Sequence, residues 1–179
     1  MKILVLNGTL NSHGNTNALV DAFKEGAESV GHEVTVIHTH KKNIGECLGC
    51  EYCHEVERNV CIQKDDMQEI YPLLQEMDML VIASPIYYYN FTAALQKALT
   101  RLYAVAAMGD KFKKAKKAAM ILSSGSGPEW GTYIAPTSVF ENGFCDYIGL
   151  ENAGIFTAYG DQNKSPEKLE ELRAFGASL

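Results

Sequence analysis

Short apolar segments alternate along the chain with longer segments in which apolar residues recur at helical spacing. The apolar segments predict five strands, at residues 3–6, 33–38, 79–83, 118–122 and 155–159. The segments with helical spacing predict five helices, at residues 18–30, 66–77, 92–108, 133–148 and 166–175. Strict alternation of this kind is typical of a parallel sheet covered by helices on both faces, which is a three-layer α/β arrangement.

Polar residues and a glycine at the predicted helix ends support these boundaries. We expect N-caps at Asp65 or Asp66, at Thr92 and at Ser165, and a C-cap at Gly31. The 179 residues fit one domain, residues 1–179, and the strand order expected for this length is 2-1-3-4-5. In that order the direction of winding reverses between the first and third strands, so a ligand is expected at the loops 8–16, 84–91 and 123–131.

The charge and composition of the chain argue against several classes of function. The formal net charge of -6 argues against a nucleic-acid partner, which would need clustered Lys and Arg. No apolar segment reaches the roughly 20 residues that cross a bilayer, so no membrane partner is expected. Five cysteines without a secretory signal are typical of a cytoplasmic protein, and we expect that location.

The first of the three loops, residues 8–16, joins the first strand to the first helix. A helix start offers unpaired N–H groups and partial positive charge, which suit a phosphate. The loop has no Lys or Arg and no G-x-G-x-x-G pattern, which disfavours nucleoside-triphosphate and dinucleotide sites. A monophosphate on neutral hydroxyl and amide groups, as in FMN, is one interpretation. The other is that Gly, Asn and Ser only form the turn.

The second and third loops contain aromatic residues and glycines. Three consecutive tyrosines follow Ser84-Pro85, and they either form the flat wall that an isoalloxazine ring needs or simply cover the end of the sheet. Glycines at residues 125 and 127 allow a planar ligand to approach the backbone closely, and Trp130 is a candidate for stacking or closing the site. A flexible surface turn is the alternative for this third loop.

Three segments together resemble a known family. They are K-I-L-V-L-N-G-T-L-N-S-H-G-N-T at residues 2–16, K-D-D-M at residues 64–67 and S-P-I-Y-Y-Y-N at residues 84–90. They are similar to the NAD(P)H-dependent FMN reductases of the flavodoxin superfamily. The resemblance implies a flavodoxin-like fold and bound FMN reduced by NAD(P)H. It also implies an electron acceptor that is quinone-like, a flavin, another small molecule or a redox protein.

The resemblance also implies a set of cofactor contacts. The FMN phosphate is expected on Thr9, Asn11, Asn15, Thr16 and Asn17. The ribityl chain and ring are expected among Pro85, Ile86, Tyr87, Tyr88 and Asn90. The pyrimidine edge is expected beside Ser124, Gly125 and Gly127. No catalytic side chain is expected because the flavin supplies the chemistry, although Tyr88 or Trp130 could guide substrate stacking.

One departure from the family concerns the phosphate. The family usually has Ser-Pro-Arg where this chain has Thr9-Leu10-Asn11. The missing Arg removes a charge-assisted contact typically worth about 1.5–3 kcal/mol. We therefore expect weaker FMN binding or a substitute residue. Because relatives commonly pair so that a neighbouring chain covers the flavin, a homodimer or homotetramer is also expected.

Four cysteines form a C-x2-C-x2-C-x7-C arrangement at Cys47, Cys50, Cys53 and Cys61. Thiolates at this spacing can hold an iron–sulfur cluster, whereas zinc sites usually use two separated C-x2-C pairs. The pattern resembles the iron–sulfur flavoprotein branch of the family and implies a [4Fe-4S] cluster near the FMN. Free thiols or a labile disulfide are the alternative. Cys145 lies in the fourth helical pattern and is expected in the core.

Three functions follow from these interpretations. The first is an FMN-dependent NAD(P)H oxidoreductase. The second is an electron carrier of the iron–sulfur flavoprotein type, with FMN and a cluster. The third is a flavodoxin-like binding module without a redox role.

Overall fold

The chain folds around one sheet of five parallel strands. The computed structural model describes residues 1–55, 61–106 and 114–179. The strands are β1 (Lys2–Asn7), β2 (Glu33–His38), β3 (Met79–Pro85), β4 (Lys117–Ser124) and β5 (Glu151–Tyr159). Their order across the sheet is β2-β1-β3-β4-β5, which confirms the predicted topology.

Helices cover both faces of this sheet. The α-helices are α1 (Asn15–Ser29), α2 (Met67–Glu76), α3 (Ala93–Arg101), α4 (Tyr103–Ala106), α5 (Ile134–Ser138) and α6 (Pro166–Ala177). Shorter 3₁₀ segments lie at Thr39–Lys41, Pro128–Trp130 and Gly160–Lys164, and a π-helix covers Val139–Tyr147. In the described parts of the chain, no helix has both the length and the apolar character needed to cross a membrane.

A separate hydrophobic core lies on each face of the sheet. Leu4 and Leu6 of β1 pack with residues from α2, α3 and the π-helix, while Ile3 and Val5 pack with residues from α1 and α6. Successive side chains of a strand point to opposite faces, so a central strand with helices on both sides must be apolar at every position. The resulting order of layers is helix, sheet, helix, and the fold is flavodoxin-like.

The predicted N-caps at Thr92 and Ser165 are confirmed, and Asp66 is the N-cap residue of α2, although its side chain caps no N–H. The C-cap of α1 is Val30, so the predicted C-cap at Gly31 is one residue too late. Thr92 Oγ1 accepts the N–H of Leu95 at 3.4 Å, and Ser165 Oγ accepts the N–H of Lys168 at 3.2 Å. Gly31 follows α1 with a φ of +89°, the left-handed conformation that glycine adopts without a steric penalty. These local signals place the helix ends well.

The prediction of one helix over residues 92–108 is wrong. The chain tightens at Leu102, whose N–H bonds the carbonyl of Leu99 three residues back, and this separates α3 from α4. Apolar spacing continues across the break, so periodicity alone does not reveal it. Met108, the predicted end, lies outside the described residues.

The fourth helical segment is confirmed as helical, but only residues 134–138 are α-helix. The remainder is the π-helix, in which the N–H of Ile148 reaches the carbonyl of Gly143, five residues back. Cys145 lies in this π-helix, half-buried and packed against the core rather than fully inside it.

Strand β5 begins at Glu151, four residues before the predicted start at Ile155. Glu151 pairs in register with Lys117, and a bulge at Ala118/Ala119 shifts the pairing before the apolar part begins. The added residues are polar or small, so an apolar pattern does not detect them.

A buried ion pair ties the long connection after β2 to the end of α3. The Arg101 side chain is 1% exposed, and its Nη1 and Nη2 lie 2.5 and 3.1 Å from Asp65 Oδ2 and Oδ1. The same carboxylate accepts the N–H of Gly45 at 2.9 Å, and Arg101 donates to the Gly45 carbonyl at 3.1 Å. Burial raises the pKa of Asp65, but the hydrogen bonds from Arg101 and from backbone N–H groups together bring it below its usual range.

We expect Asp65→Asn to lower the free energy of unfolding by about 3–5 kcal/mol, because it leaves the Arg101 guanidinium buried without a counter-charge. The folded-state pKa of Asp65 is lowered, so its stabilisation is full above the unfolded-state value of about 4 and is lost as the pH falls through the folded-state value. The Asp65→Asn variant should lack this acid-sensitive contribution to the free energy of unfolding. Urea unfolding at neutral and acidic pH measures both effects.

The matched control is Glu76→Gln, which breaks the exposed pair between Glu76 and Lys2 (2.8 Å) and should change stability little. Equal losses for the two variants would contradict the anchoring role of Asp65.

Candidate functional site

The three predicted loops meet at the carboxyl end of the sheet and enclose a cleft of about 380 Å³. The predicted site residues that line this cleft are Thr9, Asn11, Asn15, Thr16, Pro85, Ile86, Tyr87, Ser124 and Gly125. Sequence reasoning did not select His13, Gly14, Ser123 or Lys164, which line it as well.

Buried amides hold the first loop in shape. The Asn7 side chain accepts the N–H of Thr9 at 2.9 Å and donates to Asn17 Oδ1 at 2.8 Å. The Asn17 amide then donates to the carbonyls of Asn11 and Ser12 at 2.9 and 2.8 Å. Asn17, expected at the phosphate, therefore has its side chain bonded within the loop, and it does not line the cleft.

The start of α1 is open to an anion. Gly14 is the N-cap residue, no side chain caps the helix, and its first turn holds no acidic residue. A Cβ at Gly14 would lie 3.1 Å from the Asn11 carbonyl oxygen, so a larger residue here would require the loop to shift by a few tenths of an ångström. Asn15 and Thr16 of the first turn line the cleft, where uncapped N–H groups suit a phosphate.

Hydrogen bonds connect the three loops directly. Thr16 Oγ1 and Ser123 Oγ lie 2.7 Å apart, which joins the first turn of α1 to the end of β4. The Ser123 carbonyl accepts the N–H of Ile86 at 2.8 Å, which joins the third loop to the second. Because Thr16 and Ser123 are buried, these contacts fix the cleft before any ligand enters it.

The second loop ends in a strained two-residue turn. Tyr87 and Asn90 exchange N–H···O=C bonds of 3.0 and 3.2 Å, and Tyr88 and Tyr89 between them have φ values of +50° and +64°. The left-handed conformation costs roughly 1–2 kcal/mol for each residue that carries a Cβ. The side chain of Asn90 accepts a bond from Gln96 of α3 at 3.1 Å, so this predicted ring contact braces the turn.

A second hollow of about 170 Å³ extends from the cleft, between the tyrosine turn and the third loop. Tyr88 lines it, and Ile86, Ser124 and Gly125 are shared with the cleft. A Cβ built on Gly125 meets no atom within 4 Å, so this backbone faces open space that a planar group can enter.

Two further predictions for the third loop fall outside both hollows. Gly127 accepts the hydroxyl of Thr132 at 2.7 Å through its carbonyl, a contact that shapes the loop. Trp130 is 68% exposed and does not line either hollow.

The four clustered cysteines are not assembled as a metal site. Cys47 and Cys50 are exposed, while Cys53 and Cys61 are half-buried. Across the described ranges, no three Cys, His, Asp or Glu side chains come close enough together to hold a metal ion. Cys47, Cys50 and Cys61 nevertheless lie close enough to Cys53 to act electrostatically on its thiol, so the four thiols share one region of the structure.

The segment that contains Cys47, Cys50 and Cys53 is fixed to α4 by aromatic and polar contacts. The rings of His54 and Tyr103 stack with centroids 4.0 Å apart, and the Tyr103 hydroxyl donates to Glu51 at 3.0 Å. Burial raises the pKa of the Cys53 thiol, which disfavours its thiolate.

A parallel sheet of this order, with an open helix start and a cleft at the switch point, defines the flavodoxin-like class of α/β protein. Comparison with known proteins then gives the family. Residues 1–135 match the model of the NADPH-dependent FMN reductases, and the chain belongs to that family of flavin-dependent oxidoreductases.

Curated relatives agree with this assignment, and a solved structure agrees with the fold. An iron-sulfur flavoprotein of Archaeoglobus fulgidus is 32% identical, over 79% of this chain and 75% of that protein. Another from the same organism is 35% identical over 57% of this chain, a match that spans only 46% of the relative. An NAD(P)H:quinone oxidoreductase from Methanothermobacter marburgensis superposes with a TM-score of 0.78 at 22% identity, covering 99% of this chain and 95% of that one, which shows a shared fold.

Strain in the tyrosine turn gives a testable expectation. Tyr88→Asn should raise the free energy of unfolding by about 0.5–1 kcal/mol, because asparagine tolerates the left-handed conformation better than tyrosine does. The Tyr88 side chain is 97% exposed, so little packing is lost. Urea unfolding measures the change. Tyr88→Phe, which keeps both the ring and the strain, should match the parent protein; a loss of stability in Tyr88→Asn would contradict the assignment of strain.

Proposed function

We propose that this protein binds FMN in the cleft and passes electrons from reduced nicotinamide to a small quinone-like or flavin acceptor. The observation that carries the proposal is that two features lie side by side, in the cleft and in the second hollow that adjoins it. The open start of α1 suits a monophosphate, and the adjoining slot beside Tyr88 and Gly125 suits a planar ring. FMN combines those two chemical groups.

Different residues of the cleft are assigned to the phosphate and to the ring of the cofactor. Thr9, Asn11, Asn15 and Thr16 line the cleft, and we assign the phosphate to them, whereas Asn17 keeps the loop in shape. The tyrosine turn and Ile86 form the wall for the ring, and the backbone at Ser124 and Gly125 lies along its other side. When bound, FMN supplies the hydride and electron chemistry.

The protein contributes orientation and access. Contacts among buried groups such as Thr16 and Ser123 preorganise the site, so little ordering is needed when the cofactor binds. Tyr88 is almost fully exposed at the rim, which leaves an open side for a nicotinamide or an acceptor to stack. The quinone oxidoreductase that shares the fold supports a quinone-like acceptor. In the homodimer or homotetramer that we propose, a second chain would cover this rim.

The direct test is a titration of flavin-free protein with FMN, followed by addition of NADH or NADPH without oxygen. We expect one FMN per chain, quenched flavin fluorescence, and bleaching of the flavin absorbance by the nicotinamide. Thr16→Val should weaken FMN binding by about 2- to 10-fold, through loss of one hydrogen-bonding hydroxyl.

Thr100→Val is the matched control, since that exposed hydroxyl lies on α3 and bonds the carbonyl of Lys97. A colourless protein that takes up no FMN would instead favour the binding module without a redox role. If the protein takes up FMN but NADH and NADPH do not bleach the flavin, only the proposed electron transfer from nicotinamide is wrong.

The cysteine motif and the names of the relatives favour a second candidate, an iron–sulfur flavoprotein. Because no three of the described thiols are close enough together to hold a metal ion, a cluster would require Cys47, Cys50, Cys53 and Cys61 to come closer to one another. The motif itself, with four thiols in one connection, is the observation in its favour.

Metal analysis after purification without oxygen decides this candidate. A cluster predicts about four iron and four sulfide per chain, lost in Cys50→Ser and kept in Cys145→Ser, whose thiol lies on the π-helix. Iron-free protein that binds FMN fully and is bleached by NADH would rule the candidate out.

A further inference from the structure

Lys164 is the one lysine or arginine among the described residues that line the cleft. It ends the 3₁₀ segment Gly160–Lys164, directly after β5. Its Nζ lies 2.9 Å from the carbonyl oxygen of His13, in the loop that leads into α1. The segment after β5 thus places a positive charge beside the loop between β1 and α1.

A buried asparagine fixes the segment that carries this lysine. Asn163 is 4% exposed, and its amide donates to the carbonyls of Ser124 and Gly160 at 2.9 and 3.0 Å. Ser124 ends β4 and lines the cleft, so the backbone that carries Lys164 is hydrogen-bonded to the site itself. On the other side, Ser165 caps α6 and ends the segment.

Among the described residues, no carboxylate forms an ion pair with Lys164. By contrast, Lys2, Lys42 and Lys168 each pair with a glutamate. An ammonium has three N–H donors, and the His13 carbonyl accepts one of them. Two donors remain for a ligand.

Lys164 is an exposed side chain, and the ammonium lies beside the loop that leads into α1. The start of a helix carries partial positive charge, and α1 has no acidic residue in its first turn. A phosphate with two negative charges is therefore attracted both by the helix start and by the ammonium.

We propose that Lys164 supplies the positive charge for the FMN phosphate, in place of an arginine in the first loop. This inference rests on the proposed FMN site. Its consequence is selectivity: Lys164 favours FMN over riboflavin, which has the same ring and ribityl chain but no phosphate.

The test compares the affinities of flavin-free protein for FMN and for riboflavin, measured by fluorescence quenching. Lys164→Met should weaken FMN binding about 10- to 100-fold and leave riboflavin binding unchanged, as expected for loss of a charge-assisted contact. Added salt should weaken FMN binding less in the variant than in the parent protein. Lys168→Met is the control, since that lysine pairs with Glu171 outside the cleft.

A second variant separates charge from loop support. Asn11→Arg added to Lys164→Met should restore the preference for FMN, because it returns a positive charge to the same cleft from the first loop. The melting temperature of flavin-free Lys164→Met should stay at or above that of the parent protein. Equal losses of FMN and riboflavin binding, with a lower melting temperature, would assign Lys164 to support of the His13 backbone and overturn the inference.

The two proposals fail in different ways. If the parent protein binds neither flavin, the proposed function is wrong. If it binds FMN and Lys164→Met retains the full preference for FMN over riboflavin, only the role of Lys164 is wrong.

Discussion

The pairing of β1 with β2 on one side and β3 on the other is the constraint on which the rest of the structure depends. A central strand must satisfy its backbone groups on both edges, and in this strand order the connection after β1 leads to β2 on one side whereas the connection after β3 leads to β4 on the other. The connections after β1 and β3 therefore part at their carboxyl ends. The N–H of Gly8 makes a last bond to the Ala83 carbonyl at 2.8 Å, and beyond it the cleft opens.

The close approach of the first two loops follows from the same geometry. A Cβ at Gly8 would lie 2.6 Å from Thr92 Oγ1, and the Thr92 hydroxyl donates to the Gly8 carbonyl at 2.8 Å. Thr92 thus caps α3 and holds the end of β1 in place.

Polar residues near the carboxyl edge of the sheet have two kinds of role. Some, such as Asn17 and Asn90, shape the loops, while others, such as Asn15, face the cleft.

The strained turn at Tyr88 and Tyr89 is also held in shape by polar contacts of the loop. Neither residue gains its conformation from the surrounding helices, since both side chains are more than half exposed. The bonds between Tyr87 and Asn90 and the brace from Gln96 impose the turn. Strain that is held in this way at the rim of a cleft is typical of sites that receive a ligand.

The strands, the sheet order and most loops of the cleft could be predicted because they depend on local apolar patterns and on the general geometry of parallel sheets. The break at Leu102 and the π-helix could not, since apolar spacing continues through both. Lys164 was missed for a different reason: its contact with His13 joins residues that are 151 positions apart. The only sequence signal was its place after the last strand, at the same sheet edge as the other loops. The arrangement of the four cysteines likewise depends on tertiary contacts, such as those of His54 and Tyr103, that their spacing does not encode.

The central claim is that three loops at one edge of the sheet form a single flavin site. A crystal structure of the protein with FMN tests it most directly. The account predicts the phosphate at the start of α1, within hydrogen-bonding distance of Thr16 and Lys164, and the ring between the tyrosine turn and Gly125. FMN bound elsewhere, for example in the hollow of about 430 Å³ between Tyr133 and Glu141 beside the π-helix, would contradict it.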